Sequence, residues 1–251
     1  MSESSCKLTC KSIDSVLIVG GSSGIGLATA LILAQAGASV IIAGRNKEKL
    51  QLAVQALPAG VKTLVMDASQ KASVTEAFEQ AGEIDHLVLA SGSGRGVGNF
   101  PTLNVEDVRL GFEEKVFPHF VCAQAILPYL SEKGGITFVS AVSARASMPG
   151  TSGIAAANAA IAAWVPILAR ELAPRRVNAV APGVIDTPWW DFLSEEQKNR
   201  LFTEYAQLTP VGRVGEAADI AGAIYFLITN TFINGQMVIC DGGLSLGMNA
   251  A

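Results

Sequence analysis

Val16-Leu17-Ile18-Val19-Gly20-Gly21-Ser22-Ser23-Gly24-Ile25-Gly26 is the stretch that decides the fold. Four large apolar residues, three of them β-branched, read as a short strand buried on both faces. The glycines that follow let the chain turn sharply and bring its backbone close to a bound group. From Gly24 onward the pattern becomes helical. A helix that starts directly after such a turn presents unpaired N–H groups and the positive end of its dipole, which suits a pyrophosphate. Glycine spacing alone is weak evidence, because turns use glycine freely. Its place between a first strand and a first helix makes it strong.

Outward from this unit, apolar runs alternate with helical patterns. The runs are Val16–Val19, Ser39–Ala43, Thr63–Met66, His86–Ala90, Ile136–Val139, Arg176–Ala181 and Gln236–Cys240. Between them lie amphipathic stretches such as Gly24–Ala36, Lys47–Ala56, Val74–Ala81 and Glu106–Leu130. This alternation predicts an α/β fold: a single Rossmann-type, doubly wound parallel sheet with helices on both faces. No repeat or linker interrupts it, so residues 1–251 are read as one dinucleotide-binding domain. Residues 1–12 are expected to be a flexible tail. The less regular segment 184–210 is expected to close over a ligand as a lid.

Composition agrees and excludes other classes. Half of the 251 residues are hydrophobic and 16% are charged, as a sheet covered on both faces requires. The net charge is −4 and Lys/Arg do not cluster, so nucleic acid is not an expected partner. No apolar run is expected to reach the length of a membrane span, and the N-terminus lacks the apolar stretch of a signal peptide. Cys6, Cys10, Cys122 and Cys240 have neither a disulfide-framework nor a zinc-site spacing. Reduced thiols in a cytoplasmic protein without metal are the expectation.

The motifs taken together resemble the short-chain dehydrogenase/reductase family. Gly20, Gly24 and Gly26 have its Gly-x-x-x-Gly-x-Gly spacing. Further matches are Asp67 after the third strand, Ile84-Asp85-His86-Leu87-Val88 entering the fourth, Val177-Asn178-Ala179-Val180-Ala181-Pro182-Gly183 in the sixth, then Thr187, and Asp241-Gly242-Gly243 near the end. The resemblance spans about Ser15 to Gly243. It implies NADP(H) bound by Gly20, Ser22, Ser23, Gly24, Ile25 and Gly26, by Asp67 and Ala68 near the adenine, by Gly92, and by Pro182, Gly183, Ile185 and Thr187 toward the nicotinamide end. Arg45 and Asn46 follow the second strand, where an acidic residue would select NAD. An Arg there pairs with the 2′-phosphate of NADP(H); a solvated surface Arg is the alternative. The family's Asn-rich motif after the fourth strand is replaced by Leu89-Ala90-Ser91-Gly92. The following Ser93-Gly94-Arg95-Gly96-Val97-Gly98 is expected to be mobile. The family commonly assembles through its fourth and fifth helices, which implies a homo-oligomer, a dimer or homotetramer. The small-residue stretch Ala155–Ala163 allows close helix approach, although Pro166 removes a helix hydrogen bond.

The chemistry is where this chain departs. Where the family has Asn, Ser, Tyr and Lys, the sequence has Lys115, Ala141, Ile154 and Asn158, with Pro149-Gly150 fixing the frame. Lys115 and Asn158 look like an exchange of the family's Asn and Lys. A buried lysine needs oxygen partners, which Asn158 and the cofactor ribose would supply; a lysine snorkelling from a helix end is the alternative. Lys115, Asn158 and Ser143 are the candidate catalytic residues. Ser143 lies two residues past the family's Ser position and could substitute only if the loop is reshaped; ordinary strand-end serines bonding the backbone are the alternative reading for both Ser140 and Ser143. His119 shares the face of Lys115 and could donate a proton near neutral pH, or be a core histidine. Arg145, Trp189, Trp190 and Phe192 are the candidate substrate residues. Arg145 is equally readable as a surface Arg, and the aromatic trio as part of a subunit interface.

The function expected is an atypical NADP(H)-dependent reductase acting on an apolar small molecule at a carbonyl or C=N group. A cationic C=N needs no proton from the protein, which fits the lost Tyr. Two alternatives remain open: a non-redox cyclase or isomerase, as in fungal alkaloid-pathway members of the family lacking Tyr and Lys, and a non-catalytic NADP(H)-binding protein.

Overall fold

The computed structural model describes residues 15–247. Seven strands form one parallel sheet: β1 (Ser15–Val19), β2 (Ser39–Gly44), β3 (Lys62–Val65), β4 (Ile84–Leu89), β5 (Leu130–Val139), β6 (Arg176–Pro182) and, further along the chain, β9 (Met237–Cys240). Their order is β3-β2-β1-β4-β5-β6-β9. Every predicted run falls on a strand of this sheet, with Met66, Ala90 and Gln236 one residue outside the strand ends. The two-residue strands β7 (Ile185–Asp186) and β8 (Gly215–Glu216) form a separate small parallel pair.

Alternation along the strands builds two cores. In β1, Leu17 and Val19 point into one cluster and Val16 and Ile18 into the other. The first cluster is closed by α3 (Lys71–Ala81), α5 (Phe117–Ala125) and α6 (Ser152–Glu171), the second by α1 (Gly24–Gln35), α2 (Lys47–Gln55) and α8 (Ala217–Thr229). Helices on both faces explain why β1, β2 and β4 are apolar at nearly every position. The chain winds outward from β1 to β3, then returns to β4 beside β1. The crevice beyond the carboxyl ends of β1 and β4 is where such a sheet binds ligands.

Three expectations need correction. Glu106–Leu130 is not one regular α-helix. A continuous helix runs through α4 (Val105–Gly111), a π turn (Phe112–Val116) and α5, ends at Ala125, and Leu130 already belongs to β5. Pro118 accounts for the π turn: it has no N–H for the carbonyl one α-turn earlier, and the π turn lies directly before it. The segment 184–210 is more regular than expected, because α7 (Glu195–Leu208) occupies half of it. Its start is fixed by a reciprocal pair in which Ser194 Oγ accepts from the Gln197 N–H and Gln197 Oε1 from the Ser194 N–H. Finally, α6 has 20 residues and a mean hydropathy of 1.6, enough by length and composition to cross a membrane. Its buried stripe Ile161, Val165 and Ala169 packs into the first core, which contributes to that hydropathy. The exposed Pro166 does not end it. The expected tail, with Cys6 and Cys10, lies outside the described residues.

Candidate active site

The glycine turn fits a close-approaching ligand. Gly20 has φ +84°, and a Cβ there would lie 2.7 Å from the Ser91 backbone nitrogen, so the ends of β1 and β4 approach as only glycine allows. A Cβ at Gly26 would collide with the Gly20 carbonyl. Ser23 occupies the N-cap position of α1 without a side-chain cap bond. The first N–H groups of α1 therefore keep their hydrogen-bonding capacity. Thr187 overhangs the turn: a Cβ on Gly24 would lie 3.3 Å from Thr187 Cβ. Gly183 packs on Asp241, where a Cβ would sit 2.8 Å from Asp241 Cα. Pro182 and Ile185 are buried, and Ile185 belongs to the second core.

At the end of β2, Arg45 is exposed. Asn46 has a structural duty: its Oδ1 accepts from Lys49 N at 2.9 Å and caps α2. The Asp67 carboxylate accepts from Ser69 N and Oγ at 3.0 and 2.8 Å. These bonds, with Arg45 nearby, hold its pKa below the usual carboxylate value. Ala68 packs against the first core.

Lys115 lies on the π turn and is buried, at 7% exposure, which excludes the snorkelling alternative. Its Nζ donates to Asn158 Oδ1 at 2.7 Å and to the Ser140 carbonyl at 3.4 Å. The exchange read from the sequence is thus a direct contact. No carboxylate pairs with Lys115 among the described residues, and burial pushes its pKa down to about 8. Asn158 is fully buried, and its Nδ2 donates to Ser143 Oγ at 3.2 Å. The two serines diverge. Ser140 donates to the Asn158 carbonyl at 3.0 Å, whereas Ser143 accepts from a side chain rather than bonding the backbone. Ala141 and the half-buried Ile154 bring no titratable group, and the Ile154 N–H is bound to the Gly96 carbonyl.

His119 is not a proton donor at neutral pH. Burial, and secondarily the charge of Lys115, lower its pKa to about 3. Its Nε2 lies 3.0 Å from the Ser91 carbonyl, which can only accept, so Nε2 carries the proton and Nδ1 is a buried acceptor without a partner. Arg145 is exposed and forms no salt bridge among the described residues.

The aromatic trio is one cluster, with Trp189–Trp190 centroids 4.5 Å apart and Trp189–Phe192 5.5 Å. Trp189 lies against Gly92 and Gly94 and donates from Nε1 to the Ser93 carbonyl at 3.2 Å. Trp190 turns back to the Ile185 carbonyl at 2.9 Å. The loop 93–98, expected to be mobile, is tied at several points. Ser93 Oγ donates to Glu114 at 2.7 Å, the Gly96 N–H to Asp107 at 2.7 Å and the Gly98 N–H to the Gly150 carbonyl at 2.8 Å. Sequence reasoning missed this network because every partner is distant in the chain; the Pro after Lys115 was the available signal for the π turn.

A parallel sheet in this strand order, with a glycine cradle at its switch point, defines a nucleotide-binding reductase scaffold. Residues 19–245 match the family described as enoyl-(acyl carrier protein) reductase. The chain is 33% identical over 239 residues to carbonyl reductase family member 4 of Danio rerio, covering 92% of this chain and 98% of that protein. It is 34% identical over 241 residues to the 3-oxoacyl-[acyl-carrier-protein] reductase FabG of Thermotoga maritima, covering 91% and 96%. A small-chain dehydrogenase solved in complex with NADPH superposes with a TM-score of 0.78 at 31% identity, covering 93% of this chain and 99% of the other. The chain belongs to the short-chain dehydrogenase/reductase family.

Proposed function

We propose that the protein binds NADP(H) and is an atypical reductase of an apolar small molecule with a reducible carbonyl or C=N group. The observation that carries this reading is the cradle: a turn at Gly20 that admits no side chain, opening onto a helix start without a side-chain cap. The related dehydrogenase solved with NADPH supports the same cofactor. When bound, NADPH supplies the hydride. The backbone from Gly20 to Gly26 would hold the diphosphate, Arg45 the 2′-phosphate, Asp67 and Ala68 the adenine side, and Gly92, Pro182, Gly183, Ile185 and Thr187 the nicotinamide side. Lys115 and Asn158 would bound the ribose. The protein's own task is to orient the substrate, exclude water and stabilise charge at the reacting atom.

Segment 184–210 acts as the lid in this reading. Trp189 closes it against the loop at Ser93, while Trp190 and Phe192 supply an apolar wall. The exposed Phe117, Phe120 and Ile167 on α5 and α6 support a homo-oligomer, to be tested by light scattering on purified protein. A single cytoplasmic domain over 1–251 belongs to the same proposal.

A non-redox or non-catalytic reading is favoured by one observation: Ile154 stands where the family's Tyr would be. The test is purified protein with NADPH and a panel of cyclic ketones, enones and imines. NADPH oxidation with product formation supports the reductase. Isomerised product without oxidation supports the non-redox enzyme, and tight NADPH binding without either supports the binding protein.

A further inference from the structure

Lys115, Asn158 and Ser143 form a hydrogen-bonded chain whose direction is fixed by chemistry. A lysine ammonium donates and cannot accept. At 2.7 Å from Lys115 Nζ, the Asn158 amide must present its oxygen. Its nitrogen then faces Ser143 and donates to Oγ at 3.2 Å. Ser143 thus accepts from the protein, and its own hydroxyl proton has no acceptor among the described residues. Its side chain is half-buried, in a short turn (Val142–Ala144) just beyond the carboxyl end of β5, the end of the sheet that carries the glycine cradle. Ser140, on the other side of Ala141, has no comparable freedom, because its hydroxyl is committed to the Asn158 carbonyl.

We propose that Ser143 is the residue that hydrogen-bonds the substrate's acceptor atom, with Asn158 and Lys115 as the positioning residues that orient and polarise its hydroxyl. The proposal rests on the reductase reading above and names what that reading leaves unassigned: the donor that replaces the lost Ser and Tyr. The chain is a fixed donor array rather than a proton wire, since an amide does not readily relay protons. Bound NADPH would supply the hydride to the carbonyl carbon and leave as NADP+; Ser143 would hold the carbonyl oxygen through its O–H as the C=O π electrons collect there, and water would supply the proton that completes the alcohol, leaving hydroxide to the solvent. The unpaired charge of Lys115 favours the developing negative charge through Asn158. The chain therefore selects a neutral acceptor that becomes negative over a group that is already cationic.

The test uses the full-length protein loaded with NADP+ and 2-acetylnaphthalene labelled with 13C at its carbonyl. Infrared difference spectra report the hydrogen bond to that carbonyl without requiring turnover. The expected result is a lowered C=O stretch in the parent, reversal toward the free value in Ser143→Ala and Asn158→Leu, and retention in Ser143→Thr. With NADPH, Ser143→Ala should lose on the order of a hundredfold in kcat, as removal of one oxyanion donor does, with Ser143→Thr restoring most of it. Circular dichroism and NADPH titration check that each variant is folded. If a folded, NADPH-binding Ser143→Ala gives the parent's carbonyl stretch, or if the ketone does not bind the parent, the assignment of Ser143 is overturned. If the stretch shifts as expected but no substrate in the panel is reduced, the donor role stands and the reductase reading falls.

Discussion

The buried ammonium of Lys115 makes stability depend on alkaline pH. Its pKa falls from an ordinary 10.5 to about 8 through burial. Between those values the unfolded chain binds the proton and the folded chain does not. Stability from this group is therefore full above about 10.5 and is lost as pH falls through about 8. A difference of 10.5 − 8 = 2.5 units at ~1.4 kcal/mol per unit gives about 3 kcal/mol between neutral and strongly alkaline solution. Burial also raises the Cys122 thiol from 9.0 to about 12, which links it to stability in alkaline solution, so the quantity to measure is a difference. Urea unfolding of the parent and of Lys115→Met, from pH 7 to 10.5, isolates it. The parent should gain about 3 kcal/mol on the variant across that range. At pH 7 the two should be close: the variant sheds a buried charge but leaves Asn158 Oδ1 without its donor, opposing effects of about 1–3 kcal/mol each. A stability difference that stays flat with pH would refute the buried, charge-unpaired Lys115. In the folded variant, NADPH affinity or turnover should fall; parental values for both would make the exchange with Asn158 drift in an inactive site.

Arg45→Asp should weaken NADPH roughly ten- to a hundredfold, the loss of a charge-assisted contact worth about 1.5–3 kcal/mol; equal NADPH affinity in fluorescence titrations of parent and variant would end the 2′-phosphate assignment. Ile154→Tyr alone should not yield an efficient ketone reductase, because the neighbouring position is Asn158, already bound to Lys115, and an unassisted phenol near pKa ~10 is a poor acid at neutral pH; a large gain in ketone-dependent NADPH oxidation would contradict this. Acid should destabilise the fold early. Burial lowers the pKa of both His86 and His119 from 6.5 to about 3, so stability present above 6.5 is lost as pH falls toward 3. At ~1.4 kcal/mol per unit each, two units of acidification cost about 5 kcal/mol, a large part of a typical domain's stability. Urea midpoints unchanged between pH 6.5 and 4.5 would show that these histidines are not buried neutral.

How much could be read from the chain alone depended on how local the cause was. The inner strands of the main sheet were visible because a strand buried on both faces needs an unbroken apolar run, which Val16–Val19 and Leu87–Leu89 display directly, whereas the edge strands β3 and β9 are mostly exposed or half-buried and were legible from the strand–helix alternation. The glycine turn was visible for the same kind of reason, since only a glycine tolerates the approach of β4 at Gly20. The region after Glu106 was not. Amphipathic periodicity there persists through α4, the π turn and α5, and a single inserted residue per turn changes the hydrogen-bond partners without erasing the pattern. The loop 93–98 misled in the opposite sense. Its glycines suggested freedom, but Asp107, Glu114, Gly150 and Trp189 hold it from elsewhere in the chain.

The exchanged pair shows what sequence comparison can supply and what only geometry adds. Reading Lys115 against Asn158 required a family frame. That frame says which residue types moved, but not what the move does to hydrogen-bond direction. With the lysine on the π turn, the amide oxygen on α6 must face it, and the amide hydrogens are thereby sent toward Ser143. With a lysine at 158 instead, position 143 would face a cation on α6 rather than an amide donor. Moving the charge across the helix pair therefore carries the outward-facing donor to Ser143, beside Ala141. On the proposed role of Ser143, the empty positions and the exchange become one rearrangement: Ala141 and Ile154 can be inert because the donor they would have provided would stand at Ser143.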